Sequence, residues 1–97
     1  MLWIIMGRDV PDSTAARLAA RPAHLERLQA LHDEGRLRLA GPIPNDPDSA
    51  EAGIQGSLII ADFPNRAEAT QWAEQDPYCA AKVYASVEVQ AFRQVLP

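Results

Sequence analysis

Short apolar runs alternate with segments of helical spacing along this chain. Residues 2–7, Leu-Trp-Ile-Ile-Met-Gly, form an unbroken run rich in aromatic and β-branched side chains, which predicts a strand buried on both faces. Turn-forming residues follow over 9–13 around Pro11, and Asp12 or Ser13 can cap a short helical turn over 14–20. Pro22 then restarts the helix. Over 22–34, Leu25, Leu28 and Leu31 make one apolar stripe, and Gly35 stands where a helix would end. Leu37 and Leu39 alternate with Arg36 and Arg38, predicting a second strand over 37–41 that stops at Gly41-Pro42. Residues 45–53 are rich in Pro, Asp, Ser and Gly and read as an exposed loop.

The second half repeats the scheme. Residues 57–63 predict a third strand, closed by Pro64-Asn65. Residues 66–75 predict a helix with Ala69, Trp72 and Ala73 inward, broken by Asp76-Pro77-Tyr78. Residues 83–95, rich in Val, Tyr and Phe, predict the last and longest strand. The order β-α-β-β-α-β is the split β-α-β, or ferredoxin-like, pattern: an α+β fold with an antiparallel sheet and both helices on one face. No linker, repeat or low-complexity tract divides the chain, so residues 1–97 read as a single domain.

Composition narrows the function classes. A hydrophobic share of 47% supports a real core. So short a chain leaves little room for a deep private pocket, so a site at a subunit interface is plausible. The net charge of −4 argues against nucleic acid or an anionic membrane as partner. The lone cysteine, Cys79, excludes an internal disulfide and a cysteine-rich metal site. His24 and His32 have no metal-binding spacing, and no metal or cofactor is expected. The apolar start is too short for a membrane span and lacks the features of a signal peptide, so the expected location is the cytoplasm.

The candidate chemistry centres on His24 and the Asp76-Pro77-Tyr78 turn. Pro22 suits the first helical position, which would put His24 in the first turn. The helix dipole there disfavours imidazolium, and a neutral imidazole is the form a general base needs. Asp76 can hold its tautomer, although Asp before Pro is also ordinary turn chemistry. Tyr78 offers a phenol to a pocket or simply covers the core edge. Arg17 and Arg21 lie on the approach to His24 and offer guanidinium forks to an anion, with a solvated surface as the ordinary alternative. Gly41-Pro42 and Gly56-Ser57 let backbone approach a ligand, but turn or bulge geometry explains them equally well. Nothing near Cys79 marks a reactive thiol, and His32 suits a solvated helix end.

Several of these segments together resemble the YciI-like proteins, the YCII-related domain family. They are Arg21-Pro22-Ala23-His24-Leu25-Glu26-Arg27-Leu28, Glu34-Gly35-Arg36-Leu37, Ala40-Gly41-Pro42, Gly56-Ser57, Trp72-Ala73, Asp76-Pro77-Tyr78 and the closing Val87-Glu88-Val89-Gln90-Ala91-Phe92. Their joint order and spacing carry the likeness over nearly the whole chain. Cys79 departs from it, standing where an apolar residue such as Val is expected. The resemblance implies a ferredoxin-like fold and a homodimer whose sheets pack together, as in the dimeric α/β-barrel group. It also implies a histidine/aspartate-centred site, with His24 matching the histidine and Asp76 the best match for the acid. Muconolactone isomerases share the fold, and some YciI-like proteins act in aromatic breakdown, including a dehydrochlorinase.

The expected function is therefore cofactor-free acid/base chemistry, an isomerisation or elimination on a small molecule, which the resemblance implies to be aromatic-derived. His24 and Asp76 are its catalytic pair, and Arg17, Arg21, Gly41, Pro42, Ser57 and Tyr78 its substrate-binding residues. The alternatives are a non-catalytic small-molecule-binding or sensing module and an interaction subunit. A real dyad requires a His24 nitrogen within about 3.5 Å of an Asp76 oxygen, directly or through one water.

Overall fold

The computed structural model describes residues 1–97. The first apolar run extends beyond its expected end, giving β1 (Leu2–Asp9). Trp3, Ile5 and Gly7 are buried, and Leu2, Ile4 and Met6 between them are half-buried on the opposite face. The other strands are β2 (Leu37–Pro44), β3 (Ile54–Asp62) and β4 (Tyr84–Phe92). They lie in the order β2-β3-β1-β4 with every neighbouring pair antiparallel, which is the ferredoxin-like arrangement. The sheet of one chain is open rather than a closed barrel.

Helices α1 (Thr14–Asp33) and α2 (Arg66–Glu74) contribute to the core. Leu28 and Leu31 of α1 and Ala69 and Ala73 of α2 join Trp3, Ile5, Ile59, Ala61 and Phe63 in one buried cluster. Each large side chain buried there contributes about 1.5–3 kcal/mol. Trp72 is only half-buried and packs at the cluster's edge, tilted against Phe63 with ring centroids 5.8 Å apart.

The structure corrects the reading of Pro22. The turn expected over 14–20 and the helix expected from 22 are one continuous helix, with Pro22 inside it. Pro22 cannot donate to the Leu18 carbonyl one turn back, but both residues face solvent, where water can satisfy that acceptor. His24 is consequently mid-helix and not in a first turn. The dipole argument for its neutral form does not apply, because that effect is confined to the helix ends. Ser13 is the N-cap residue as expected, but its side chain makes no capping bond.

Gly41-Pro42 does not end β2, which runs on to Pro44. β2 is an edge strand, and an edge tolerates prolines because its outer side needs no donors. The loop over 45–53 contains one 3₁₀ turn, Ala50–Ala52. The Asp76-Pro77-Tyr78 break starts a further one-turn helix, α3 (Pro77–Ala80). The last strand ends at Phe92, three residues short of its expected end, and Val95 and Leu96 beyond it are exposed.

Candidate active site

One face of α1 is buried along its length, but its chemistry changes midway. The buried positions are Arg17, His24, Leu28 and Leu31, whose spacings keep them on one stripe. Leu28 and Leu31 enter the apolar core. Arg17 and His24 continue the same stripe into a polar layer between α1 and the sheet. Leu25, expected on the buried stripe, is 41% exposed and borders a cleft instead.

His24 meets Asp76 there. Its Nδ1 lies 2.9 Å from both Asp76 carboxylate oxygens, and both residues are buried. Asp76 is delivered by local backbone chemistry. It is the N-cap of α3, Pro77 occupies the first turn, and Asp76 Oδ1 accepts the Tyr78 N–H at 2.9 Å. Asp76 thus caps α3 and contacts His24 with the same carboxylate. An ionised carboxylate only accepts hydrogen bonds, so this contact assigns the proton to Nδ1. Nε2 has no partner in the protein and is not sealed from the cleft that His24 lines. The Tyr78 ring stacks on the imidazole at 4.0 Å and 15°, which fixes its plane.

Beyond Tyr78 lies a second buried pair. Arg17 Nε and Nη2 donate to the Asp9 carboxylate at 2.5 and 2.9 Å, and Nη2 also donates to Ser57 Oγ at 2.7 Å. Ser13 Oγ donates to Asp9 at 2.6 Å. Burial works against the Arg17 charge, but the Asp9 hydrogen bonds and negative charge outweigh it and hold the guanidinium above its usual value. Arg17 is therefore neither a solvated side chain nor a free fork: Asp9 occupies the fork. Its guanidinium carbon sits 4.8 Å from the Tyr78 ring centre, so Tyr78 lies between Arg17 and His24.

Tyr84 closes the layer edge-on to Tyr78, with centroids 5.5 Å apart. Its ring occupies the space a side chain at residue 7 would need, since a Cβ on Gly7 would come within 2.5 Å of it. The Tyr84 Oη is buried with no hydrogen-bond partner. Burial pushes this phenol well above its ordinary value, against the opposing effect of the neighbouring Ser57 hydroxyl, and burial also raises Tyr78.

The cleft beside His24 has a volume of about 170 Å³. Arg17, Arg21, His24 and Tyr78 line one part, and Gly41, Pro42 and Ser57 the strand side. All the residues expected to bind substrate thus border one space, with Asp76 behind His24. Asp9 and Tyr84 are not singled out from the sequence, and Ser13 reads there only as a helix cap. Asp9 reads there as turn chemistry, and only its register on the buried face of β1 marks it. His32 is exposed near the helix end, as expected. The Cys79 thiol donates to the Ala73 carbonyl at 3.4 Å, and burial raises it away from reactivity.

This geometry can be set beside known proteins. The chain is 52% identical to the protein YciI of Escherichia coli, over 98% of this chain and 99% of that one. It is 46% identical to an uncharacterized protein of Haemophilus influenzae, over 98% of this chain and 99% of the relative. Its fold superposes on the 5-chloro-2-hydroxyhydroquinone dehydrochlorinase of Burkholderia phenoliruptrix, solved in complex with 2,5-dihydroxybenzoquinone. That match has a TM-score of 0.84 and 26% identity, and covers 96% of this chain and 94% of the other. The YCII-related domain matches residues 1–93, so the chain belongs to the YCII-related family.

Proposed function

We propose that this protein is a small-molecule enzyme in which His24 moves a proton without a cofactor. The observation that carries the reading is the buried His24–Asp76 contact, which leaves Nε2 unpartnered beside the cleft. Asp76 holds the ring in the tautomer that keeps the Nε2 lone pair available, and it stabilises the imidazolium formed when Nε2 takes a proton. Tyr78 restrains the ring plane. Arg21 lines the cleft and provides a positive charge for an oxygen that becomes negative as the proton leaves. Proton removal next to a carbonyl, followed by its return elsewhere or by loss of a leaving group, is an isomerisation or an elimination. The dehydrochlorinase likeness supports elimination on a hydroxylated, aromatic-derived ring.

The protein also acts as a homodimer in this reading. Leu2, Ile4, Met6, Leu39, Leu58 and Ile60 are not covered by the helices. An exposed apolar face of this kind is unusual on a monomer, and a second copy would cover it. A cytoplasmic location fits this reading, and no helix is long and apolar enough to cross a membrane.

The test uses 5-chloro-2-hydroxyhydroquinone for turnover and 2,5-dihydroxybenzoquinone for binding. Chloride release by the wild-type protein should fall about 100-fold or more in His24→Gln, while quinone binding largely survives. Equal release by both proteins removes His24 as the base. Binding without release of chloride or any isomerised product favours a sensing module instead.

A further inference from the structure

The cleft beside His24 does not end at Arg21. A second hollow of about 240 Å³ adjoins it, and the two share Arg17, Arg21, Pro42 and Tyr78. The outer hollow lies between the first turns of α1 and the loop leading into β3. Leu18, Ala50 and Ile54 give it apolar walls. Gly53 turns the loop towards α1 with φ +85°, and a Cβ there would stand 3.4 Å from Thr14 Oγ1.

Three features of α1 point to what this hollow receives. Leu18 and Leu25 are the large exposed apolar residues of the helix, at 67% and 41% exposure. Leu18 borders the outer hollow and Leu25 the inner one. Arg21 stands between them on the same edge and lines both. Arg21 also makes no ion pair or side-chain hydrogen bond, in a chain whose net charge is −4. Arg17, by contrast, is committed to Asp9 and Ser57.

We infer that the cleft takes a monoanion carrying an apolar substituent, with its acidic oxygen on Arg21 and its substituent in the outer hollow against Leu18 and Ile54. This rests on the reading of the His24 cleft as a small-molecule site and names the class of molecule. The ring or carbonyl to be deprotonated lies in the inner space, and the substituent sets specificity. A guanidinium with no protein partner is suited to a charge-assisted bond to carboxylate or enolate oxygen. The apolar wall adds affinity with each methylene removed from water.

The test separates the outer hollow from the dyad by using butanoate, hexanoate and octanoate, which have the anion and the tail but no acidic ring. Titration is followed by amide NMR shifts on the full chain. Affinity should rise by about twofold to threefold per methylene, short of full burial because the hollow is half open. The shifts should centre on Leu18, Arg21 and Ile54. Leu18→Asp should abolish the chain-length dependence, and Arg21→Gln should weaken all three ligands by about tenfold. Both positions are exposed, and matching spectra away from the hollow will verify their folding. No chain-length dependence, or shifts centred on Leu39 and Ile60 of the open sheet face, overturns the inference. Chloride release without such dependence overturns the outer seat but leaves the His24 chemistry standing. Chain-length dependence in a protein that turns over no substrate retains the seat and overturns that chemistry.

Discussion

The two ends of the space between α1 and the sheet are built on the same elements and solved differently. At one end Leu28 and Leu31 face Ile5, Ile59 and Ala61, and non-directional burial suffices. At the other end Arg17 and His24 occupy the same stripe of α1, and each needs a dedicated partner, Asp9 and Asp76. The apolar end tolerates a change of shape if volume is kept. The polar end tolerates no unilateral change, because removing one partner leaves the other buried and unmatched. The candidate site lies at the end where geometry is enforced pair by pair.

The largest expected effect breaks that contrast directly. Asp9→Ala should cost about 3–5 kcal/mol of stability by stranding the Arg17 guanidinium, measured by urea unfolding. Asp9→Leu combined with Arg17→Met should recover most of the loss. Ile59→Ala at the apolar end should cost a comparable amount, about 2–5 kcal/mol, with no paired charge to remove in compensation. A double substitution no better than Asp9→Ala would show that the polar end is held by something other than pairing.

Pro22→Ala touches neither end and sharpens the comparison. It restores a backbone donor in the middle of α1 on the solvent side. Stability should rise by about 2 kcal/mol, the interior-proline penalty less the gain in unfolded-chain entropy. A fall in stability would show that the proline shapes the helix where the two ends meet.

The smallest effect at neutral pH belongs to Tyr84→Phe. It removes a buried hydroxyl without a partner, so stability should change by less than about 1 kcal/mol. Alkaline solution is more revealing. Tyr84 is held protonated in the fold well above its ordinary value of 10.0, so its effect on stability is pH-independent below that value. Above it the unfolded chain loses the proton first, and stability declines as pH rises. Unfolding at about pH 8 and about pH 11 should show a shallower decline in Tyr84→Phe. An unchanged decline would assign the alkaline limb to Tyr78 or other groups.

The same contrast explains what could be read from the sequence. Strand runs and the Leu28–Leu31 stripe follow from periodicity, because apolar burial leaves a repeating pattern. His24 and Asp76 stood out through their family-like surroundings. Arg17 reads there as a fork for a substrate anion and Asp9 only as turn chemistry; their pairing is not legible, since a buried ion pair eight residues apart looks like two surface charges until the register of β1 against α1 is known. The two prolines at helix boundaries were exchanged. Pro22 carries the first-turn signature but sits inside α1, and Pro77, read as a breaker, starts α3. A proline fixes its own dihedral and removes a donor, and whether that starts or merely interrupts a helix depends on where the lost bond faces.

Pro42 and Pro44 bear on how large an aggregate this protein can form. Both lie in β2, the outermost strand on its side of the sheet. A chain arriving edge-on would look for a ladder of amide donors and find gaps, which blunts the templating that lets sheets grow into fibrils. Contact across the apolar sheet face behaves differently: two copies meeting there with twofold symmetry use up the face on both. In the proposed homodimer, self-association would thus follow a geometry that terminates rather than one that is open-ended.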